Sequence, residues 1–407
     1  MPRIVHPPVF QPPQPKPFQY TFRMAQYRIT DTRARHNDTD VVGYTLGFGG
    51  HSYTQTLPPA DVNNGNHDIG LEFPGLTFSD PAATVTLSYA ITNAGHDSAD
   101  VEAAFKKGVD LLFGGSGGKN GSGDGSGSGK SGDGGMTGTH PRSIGGSLLM
   151  LAIDEALQLL FANCDGAVAA DQIELPLSEI DALFPQGACV STVTRNYPGT
   201  TSPSGCLGNS NYYVTQTITR TRVGDASHPV AGRPFIVANR SSGLVLDIPG
   251  SAHTPGVAIQ QWSDNGSASQ HWELQPVDAG YCLIRSAFDG LVLEVAGDSH
   301  ADHAQIHQAL PTGKHNQHWM FEAVPVAPPQ TELPIFTPVP YYRIRSRSSG
   351  KVLDVPSLSA DPGIKLQQFT AHTNTLGNQL WQLLQVPSVP SGPVNAPPVA
   401  VAHESAV

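Results

Sequence analysis

The chain has no run of basic residues. Its 407 residues hold 23 Lys and Arg against 34 Asp and Glu, a formal net charge of −11. Such a surface repels a polyanion, which removes nucleic acid from the candidate partners. The 16 histidines soften the charge below about pH 6.5 but build no basic patch. Cysteine is scarce: Cys164, Cys189, Cys206 and Cys282 show no CxxC spacing and are too few for a disulfide framework. A Cys164–Cys206 pair stays open for an oxidising compartment, and Cys282 reads as a small core hydrophobe opening a strand. A long hydrophobic run is also missing. The longest, Leu148 to Ala162, is broken by Asp154 and Glu155, so no segment reads as a membrane span. The start, Met1 to Pro8, lacks the apolar stretch of a secretory signal, and the expectation is a soluble protein with no visible Sec route.

Catalytic signatures are equally absent. No Gly-x-Ser-x-Gly elbow joins a strand to a helix, and His51, His67 and His96 lack zinc-motif spacing. Gly129-Lys130-Ser131 has no strand before it, and Asp124 stands where a phosphate loop needs its first glycine. Asp38, Asp40, Asp61, Asn63, Asn64, Asn66 and Asp68 are rich in oxygen ligands without EF-hand spacing. Calcium there is the alternative to solvated turns; no other cofactor is implied.

What the chain has in plenty is Gly (43) and Pro (35), the mark of many short strands, turns and unstructured spacers. Its length implies two domains. Residues 1–17 read as a Pro-rich arm and 387–407 as a disordered tail. Residues 18–228 read as a β-sandwich-like domain with strands at Tyr20–Ile29, Val41–Phe48, Ala83–Thr92 and Tyr212–Arg222. Two amphipathic stripes, Val101/Phe105/Val109/Leu112 and Leu148/Leu149/Ile153/Leu157/Leu160, predict a helical hairpin packed on that sandwich. Membrane insertion after a rearrangement is the alternative use of those stripes. A floppy Gly/Ser-rich loop, 114–139, separates them.

The second half repeats itself. Ser241-Ser242-Gly243-Leu244-Val245-Leu246-Asp247-Ile248 returns as Phe288-Asp289-Gly290-Leu291-Val292-Leu293-Glu294-Val295 and as Ser348-Ser349-Gly350-Lys351-Val352-Leu353-Asp354-Val355. Each block is closed by Gln-x-Trp, at Gln270–Trp272, Gln317–Trp319 and Gln379–Trp381. The acids stand 47 and 60 residues apart, and a Pro-rich insertion from Val324 to Pro340 accounts for most of the difference. Repetition at such periods means stacked copies of a unit that cannot bury its apolar face alone. Short strands tripled without helical periodicity predict a closed pseudo-threefold barrel with the three closing tryptophans in its core.

Three such closers, in register behind three Gly-x-Val-Leu-Asp/Glu blocks, resemble a ricin B-type β-trefoil lectin domain over residues 230–386. No family resemblance attaches to the first domain. The fold class expected is therefore mainly β, a β-sandwich-like domain with a helical hairpin followed by a β-trefoil. The resemblance implies a site per copy made of an early Asp, a Gln two residues before a stacking aromatic, and an Asn before the closing Gln. Carried onto the first copy, these are Asp247, Gln260, Trp262 and Gln270, with Ser269 in the Asn position. The third copy has Asp354, Gln367, Phe369, Asn378 and Gln379. In the second, Glu294, His307 and Ala309 replace acid, amide and ring, so two sites and one blank are expected.

The chemistry stands on its own terms. A carboxylate accepts sugar hydroxyls in charge-assisted bonds, amides both donate and accept, and a flat ring covers the sugar's C–H face. The competing readings are turn chemistry for Asp247 and Asp354 beside Pro249 and Pro356, and core burial for Trp262 and Phe369. The resemblance implies galactose or N-acetylgalactosamine-type ligands on extracellular glycans, with no catalysis in the trefoil. The alternative is a glycan-targeted effector whose first domain is a hydrolase or a membrane-perturbing toxin. A third is an adhesion protein that has lost sugar binding.

Overall fold

The computed structural model describes residues 18–30, 38–49, 51–78, 80, 82–93, 166–185, 187–198, 210–222, 232–325, 339–374 and 376–387. The Pro-rich arm, both helical stripes, the 114–139 loop, the Cys164–Cys206 pair, the centre of the proline insertion and the tail beyond 387 lie outside them. No described helix is long and apolar enough to cross a membrane, a criterion that does not concern strands.

The first half forms two antiparallel four-stranded sheets. One contains β1 (Phe18–Thr30), β4 (Gly65–Thr77), β7 (Val190–Tyr197) and β8 (Asn211–Arg222), in the order β4-β1-β8-β7. The other contains β2 (Asp38–Phe48), β3 (His51–Val62), β5 (Thr84–Asn93) and β6 (Gly166–Pro176), in the order β3-β2-β5-β6. Phe22, Met24, Tyr44, Leu46, Phe73, Tyr89, Ile91 and Tyr212 fill the space between them. Only one described α-helix, the six-residue α1 (Leu177–Ala182), accompanies the sheets.

Strand β1 explains how this sandwich meets the second half. Its residues Tyr20 to Tyr27 are all buried, so both of its faces are covered. Tyr20, Phe22 and Met24 point into the sandwich, and a β-bulge between Met24 and Gln26 shifts the alternation so that Tyr27 and Ile29 point inward too. A period of two leaves Arg23, Gln26 and Arg28 on the outer face. There Arg23 donates to Glu72 at 2.8 Å and to the Arg240 carbonyl at 3.2 Å, while Gln26 donates to the Ser241 carbonyl at 3.3 Å.

The second half is a closed barrel. Strands β9 (Phe235–Asn239), β12 (Trp272–Pro276), β13 (Cys282–Ser286), β16 (Trp319–Val324), β17 (Tyr341–Ser346) and β20 (Trp381–Gln385) pair in that order, and β20 returns to β9. Three hairpins cap it: β10–β11 (Val245–Asp247, Gln260–Trp262), β14–β15 (Val292–Val295, Ile306–Ala309) and β18–β19 (Val352–Asp354, Gln367–Phe369). Closure leaves the barrel no open sheet edge. Trp272, Trp319 and Trp381 are fully buried within it, beside Leu246, Leu293 and Leu353. Cys282 opens β13 as expected, and burial pushes its thiol up to about 12.

Each copy is sewn to a neighbour by one glutamine. Gln261 donates to the Ser359 and Asp361 carbonyls, Gln308 to those of Ala252 and Thr254, and Gln368 to those of Ser299 and Ala301. The copies therefore interlock in the cycle third, first and second, which brings residues remote in sequence to the same corner.

The buried carboxylate of Asp264 ties the sandwich to the first copy. Its Oδ2 accepts from the backbone N–H of Cys189 at 2.7 Å and of Val190 at 2.9 Å, where β7 begins. Asp264→Ala strands both donors away from water and is expected to cost about 2–3 kcal/mol in denaturant unfolding. A loss below a few tenths of a kcal/mol would mean that this junction does not hold the two halves together.

Candidate functional site

The hairpins place the expected acid and amide face to face. Asp247 lies directly across from Gln260, and Asp354 across from Gln367. Gln260 Nε2 donates to Asp247 Oδ2 at 2.7 Å, and Gln367 Nε2 to Asp354 Oδ1 at 2.7 Å. The ring residue, two places along the same strand, shares the amide's face. Trp262 is 40% exposed and Phe369 is half-buried, so neither belongs to the core. Both carboxylates spend their bonds on side-chain amides and a hydroxyl, not on capping their own backbone.

The core tryptophans reach up to these acids. Trp272, Trp319 and Trp381 donate their indole N–H to the carbonyls of Leu246, Leu293 and Leu353 at 3.3, 3.0 and 3.1 Å. Each carbonyl belongs to the residue just before Asp247, Glu294 or Asp354. The closing motif thus fixes the backbone under the acid of every copy while filling the barrel.

Gln270 and Gln379, expected at the ligand, are almost fully buried (0% and 1% exposed). Gln270 accepts from Asn265 N–H and donates to the Ser263 carbonyl; Gln379 accepts from His372 N–H and donates to the Thr370 carbonyl and to Asp354. Their place is behind the site, where they pin the loop after the ring to the acid. Asn378 donates to Asp354 at 2.9 Å and to the Val355 carbonyl at 3.1 Å. Ser269, in the corresponding place, reaches Asp247 only at 3.4 Å. A carboxylate has about four acceptor positions. Asp354 takes Gln367, Asn378 and Gln379 as donors, and Asp247 takes Gln260 closely, Gln270, and Ser269 at the longer 3.4 Å. Each carboxylate is thus held by three side-chain donors, and the third copy differs in having the Asn378 amide where the first has the Ser269 hydroxyl.

Burial pushes the carboxyls of both Asp247 and Asp354 above the ordinary value of 3.8, against the opposing pull of their amide donors. Desolvation wins because each acid is sunk at the foot of its hairpin.

The second copy is arranged differently. His307 and Gln317 occupy the two oxygens of Glu294 at 3.0 and 2.5 Å, and Ala309 offers no ring. Asn316 turns to the Val295 carbonyl at 3.0 Å.

Two participants were not expected because they come from neighbouring copies. Lys365, from the third, donates to Gln260 Oε1 at 2.8 Å. His303, from the second, bonds Gln367 Oε1 through Nδ1 at 3.1 Å and sets its ring edge-on to Phe369, 5.0 Å between centroids. His372 flanks the same Phe369 at 5.7 Å. A copy-by-copy comparison holds the signal for His303, which stands where Gly256 and Gly363 stand in the other copies.

The oxygen-rich residues of the first half are dispersed among protein partners. Asp40 accepts from Tyr212 at 3.0 Å, Asp61 from Thr39 at 3.0 Å, and Asp68 from Gly377 N–H at 3.2 Å, while Asn66 donates to the Ser357 carbonyl. Among the described residues no group of three or more His, Cys, Asp or Glu is placed to hold a metal ion.

Residues 226–309, 268–335 and 315–392 match the family described as "Ricin-type beta-trefoil lectin domain-like". The C-terminal region, 226–392, is thus a ricin-type β-trefoil lectin-like domain. No curated protein matches the chain by sequence. Among solved structures, a designed threefold-symmetric protein, ThreeFoil, is 28% identical over 37% of this chain and 98% of its own, with a TM-score of 0.32. A ricin B-like lectin of Macrolepiota procera, solved with lactose, is 17% identical over 39% of this chain and 99% of its own, with a TM-score of 0.30. An exo-β-1,3-galactanase from Clostridium thermocellum is 25% identical over 50% of this chain, with a TM-score of 0.34. The match spans only 44% of that enzyme.

Proposed function

We propose that this protein binds carbohydrate, holding galactose or N-acetylgalactosamine-type sugars at the first and third copies. The observation that carries the reading is a sunken carboxylate, fixed by amides across its hairpin, beneath an outward ring at those two corners. The acid accepts sugar hydroxyls, the ring covers the apolar sugar face, and the amide orients both. The second copy keeps the fold and lacks the ring, which fits a purely structural part. The membership of residues 226–392 in a lectin-like family supports the same reading. Shallow sites of this kind are weak one at a time. Two on one rigid barrel gain on the order of 10²–10⁴ in avidity on a dense glycan surface.

The raised carboxyls give this proposal a pH signature. Sugar binding needs the ionised acids, so it fades as pH falls through their raised values, above the 3.8 of an ordinary aspartate. Stability moves the other way. A carboxyl whose folded pKa is raised takes up its proton more readily in the folded chain, so these two groups favour folding increasingly as pH falls through that same window. Retention on a galactose resin, read beside circular dichroism from pH 7 to 4, is expected to decline while the fold persists. Retention holding down to the pH at which the fold is lost contradicts it.

A further inference from the structure

His303 occupies a backbone conformation that its sister positions reserve for glycine. Its φ is 65°, while Gly256 and Gly363, the matching residues of the first and third copies, lie at 89°. A side chain in that left-handed region is held there against a conformational cost that glycine does not bear. The fold does not need the imidazole, because two of three copies close the same turn with glycine. What the imidazole touches is the third site: Gln367 through Nδ1 and Phe369 through its ring.

The hydrogen bonds fix the donor end of the imidazole. Gln367 uses its Nε2 on Asp354, so its Oε1 accepts, and His303 Nδ1 is the donor. A ring that carries its single proton on Nδ1 has its lone pair on Nε2. The chain of bonds runs from His303 through Gln367 to Asp354, joining the second copy to the third.

We propose that His303 is a ligand-contacting, specificity-determining residue of the third site, accepting a hydroxyl of the sugar that packs on Phe369. This rests on the carbohydrate reading above. The first site has no counterpart: Gly363 lies against Trp262 there, and Lys365 supplies a donor to Gln260. The two sites therefore prefer different sugars, the third demanding one more hydroxyl donor at the edge beside its ring.

Asp247→Asn leaves the third site as the sole binder, and methyl galactoside titrated into that variant supplies the reference affinity. Adding His303→Gly is expected to weaken binding about fivefold, the worth of one hydrogen bond. Thermal stability should be unchanged or raised, since glycine relieves the left-handed residue. His303→Asn, which tolerates the same backbone and keeps an acceptor, should recover part of the affinity. Unchanged affinity in the glycine variant, with Asp354→Asn still abolishing binding, overturns the role of His303 alone. A fall in melting temperature with the glycine variant makes His303 a structural residue and also overturns it. If the Asp247→Asn chain binds no sugar, the reading of the third site fails and this inference with it.

Discussion

Replacing Asp247 and Asp354 together by asparagine is expected to abolish retention on immobilised galactose while the fold survives. The loss follows from what the acids do. In the proposed sites each is the acceptor at the floor, and each is already surrounded by donors: Gln260, Gln270 and Ser269 in the first copy, Gln367, Asn378 and Gln379 in the third. An asparagine offers one oxygen where there were two and turns an N–H₂ group toward donors or toward the sugar's hydroxyls. Survival of the fold follows from placement and charge. Neither acid belongs to the apolar cluster of the barrel, and burial already disfavours their ionised forms. Single variants retain one site each and lose the avidity of the pair. Retention by the double variant equal to that of the parent chain removes these residues from the site.

Trp381→Ala is expected to destabilise the barrel by about 3–5 kcal/mol, enough to unfold a domain of ordinary stability at moderate temperature. The indole is fully buried among Leu353, Val355, Leu366 and its partner tryptophans, and its N–H holds the Leu353 carbonyl at 3.1 Å. Alanine leaves a cavity at the pseudo-threefold axis and releases the strand that carries Asp354. Trp381→Phe keeps most of the volume but drops the hydrogen bond, and should cost about 1–3 kcal/mol by leaving that buried carbonyl without its donor. Calorimetry on the three variants Trp272→Ala, Trp319→Ala and Trp381→Ala tests the equivalence of the copies. A melting temperature unmoved by any of them contradicts the packing described.

The trefoil was legible because its pattern is redundant. Three glycines take the same turn: Gly243, Gly290 and Gly350 have φ of 67°, 79° and 72°. Three indoles bond the carbonyl before the acid, so one rule read three times fixes the register. The pairing of acid and amide across each hairpin, with the ring two places on, was legible for the same reason. The part played by Gln270 and Gln379 was not, since the sequence cannot tell a ligand contact from a buried brace behind it. The partners of His303 and Lys365 were not legible, because the amides they bond lie 64 and 105 residues away in other copies; only the exchange of glycine for His303 shows in the alignment of the copies. Barrel closure, not proximity in sequence, brings them there.

In the first half, β1, β2, β5 and β8 were legible from their alternation, whereas β3, β4, β6 and β7 were missed. β3 carries Pro58-Pro59, and β4 is punctuated by Gly65, Gly70 and Gly75, which read as turns. Gly70 is there for a packing reason. A Cβ at that position would come within 2.6 Å of the Arg240 guanidinium, which donates to the Gly70 carbonyl at the junction with the trefoil. β7 is an edge strand of Val, Ser, Thr, Arg and Asn with no continuous buried face, so hydrophobic periodicity had nothing to mark. The short helix α1 offered fewer than two turns of pattern.

The measurement that bears most directly on the account is the stoichiometry of sugar binding by calorimetric titration of the intact chain with galactose or N-acetylgalactosamine. Two equivalents per chain are predicted, falling to one with either Asp247→Asn or Asp354→Asn and to none with both. Saturable binding whose stoichiometry neither substitution changes would contradict it.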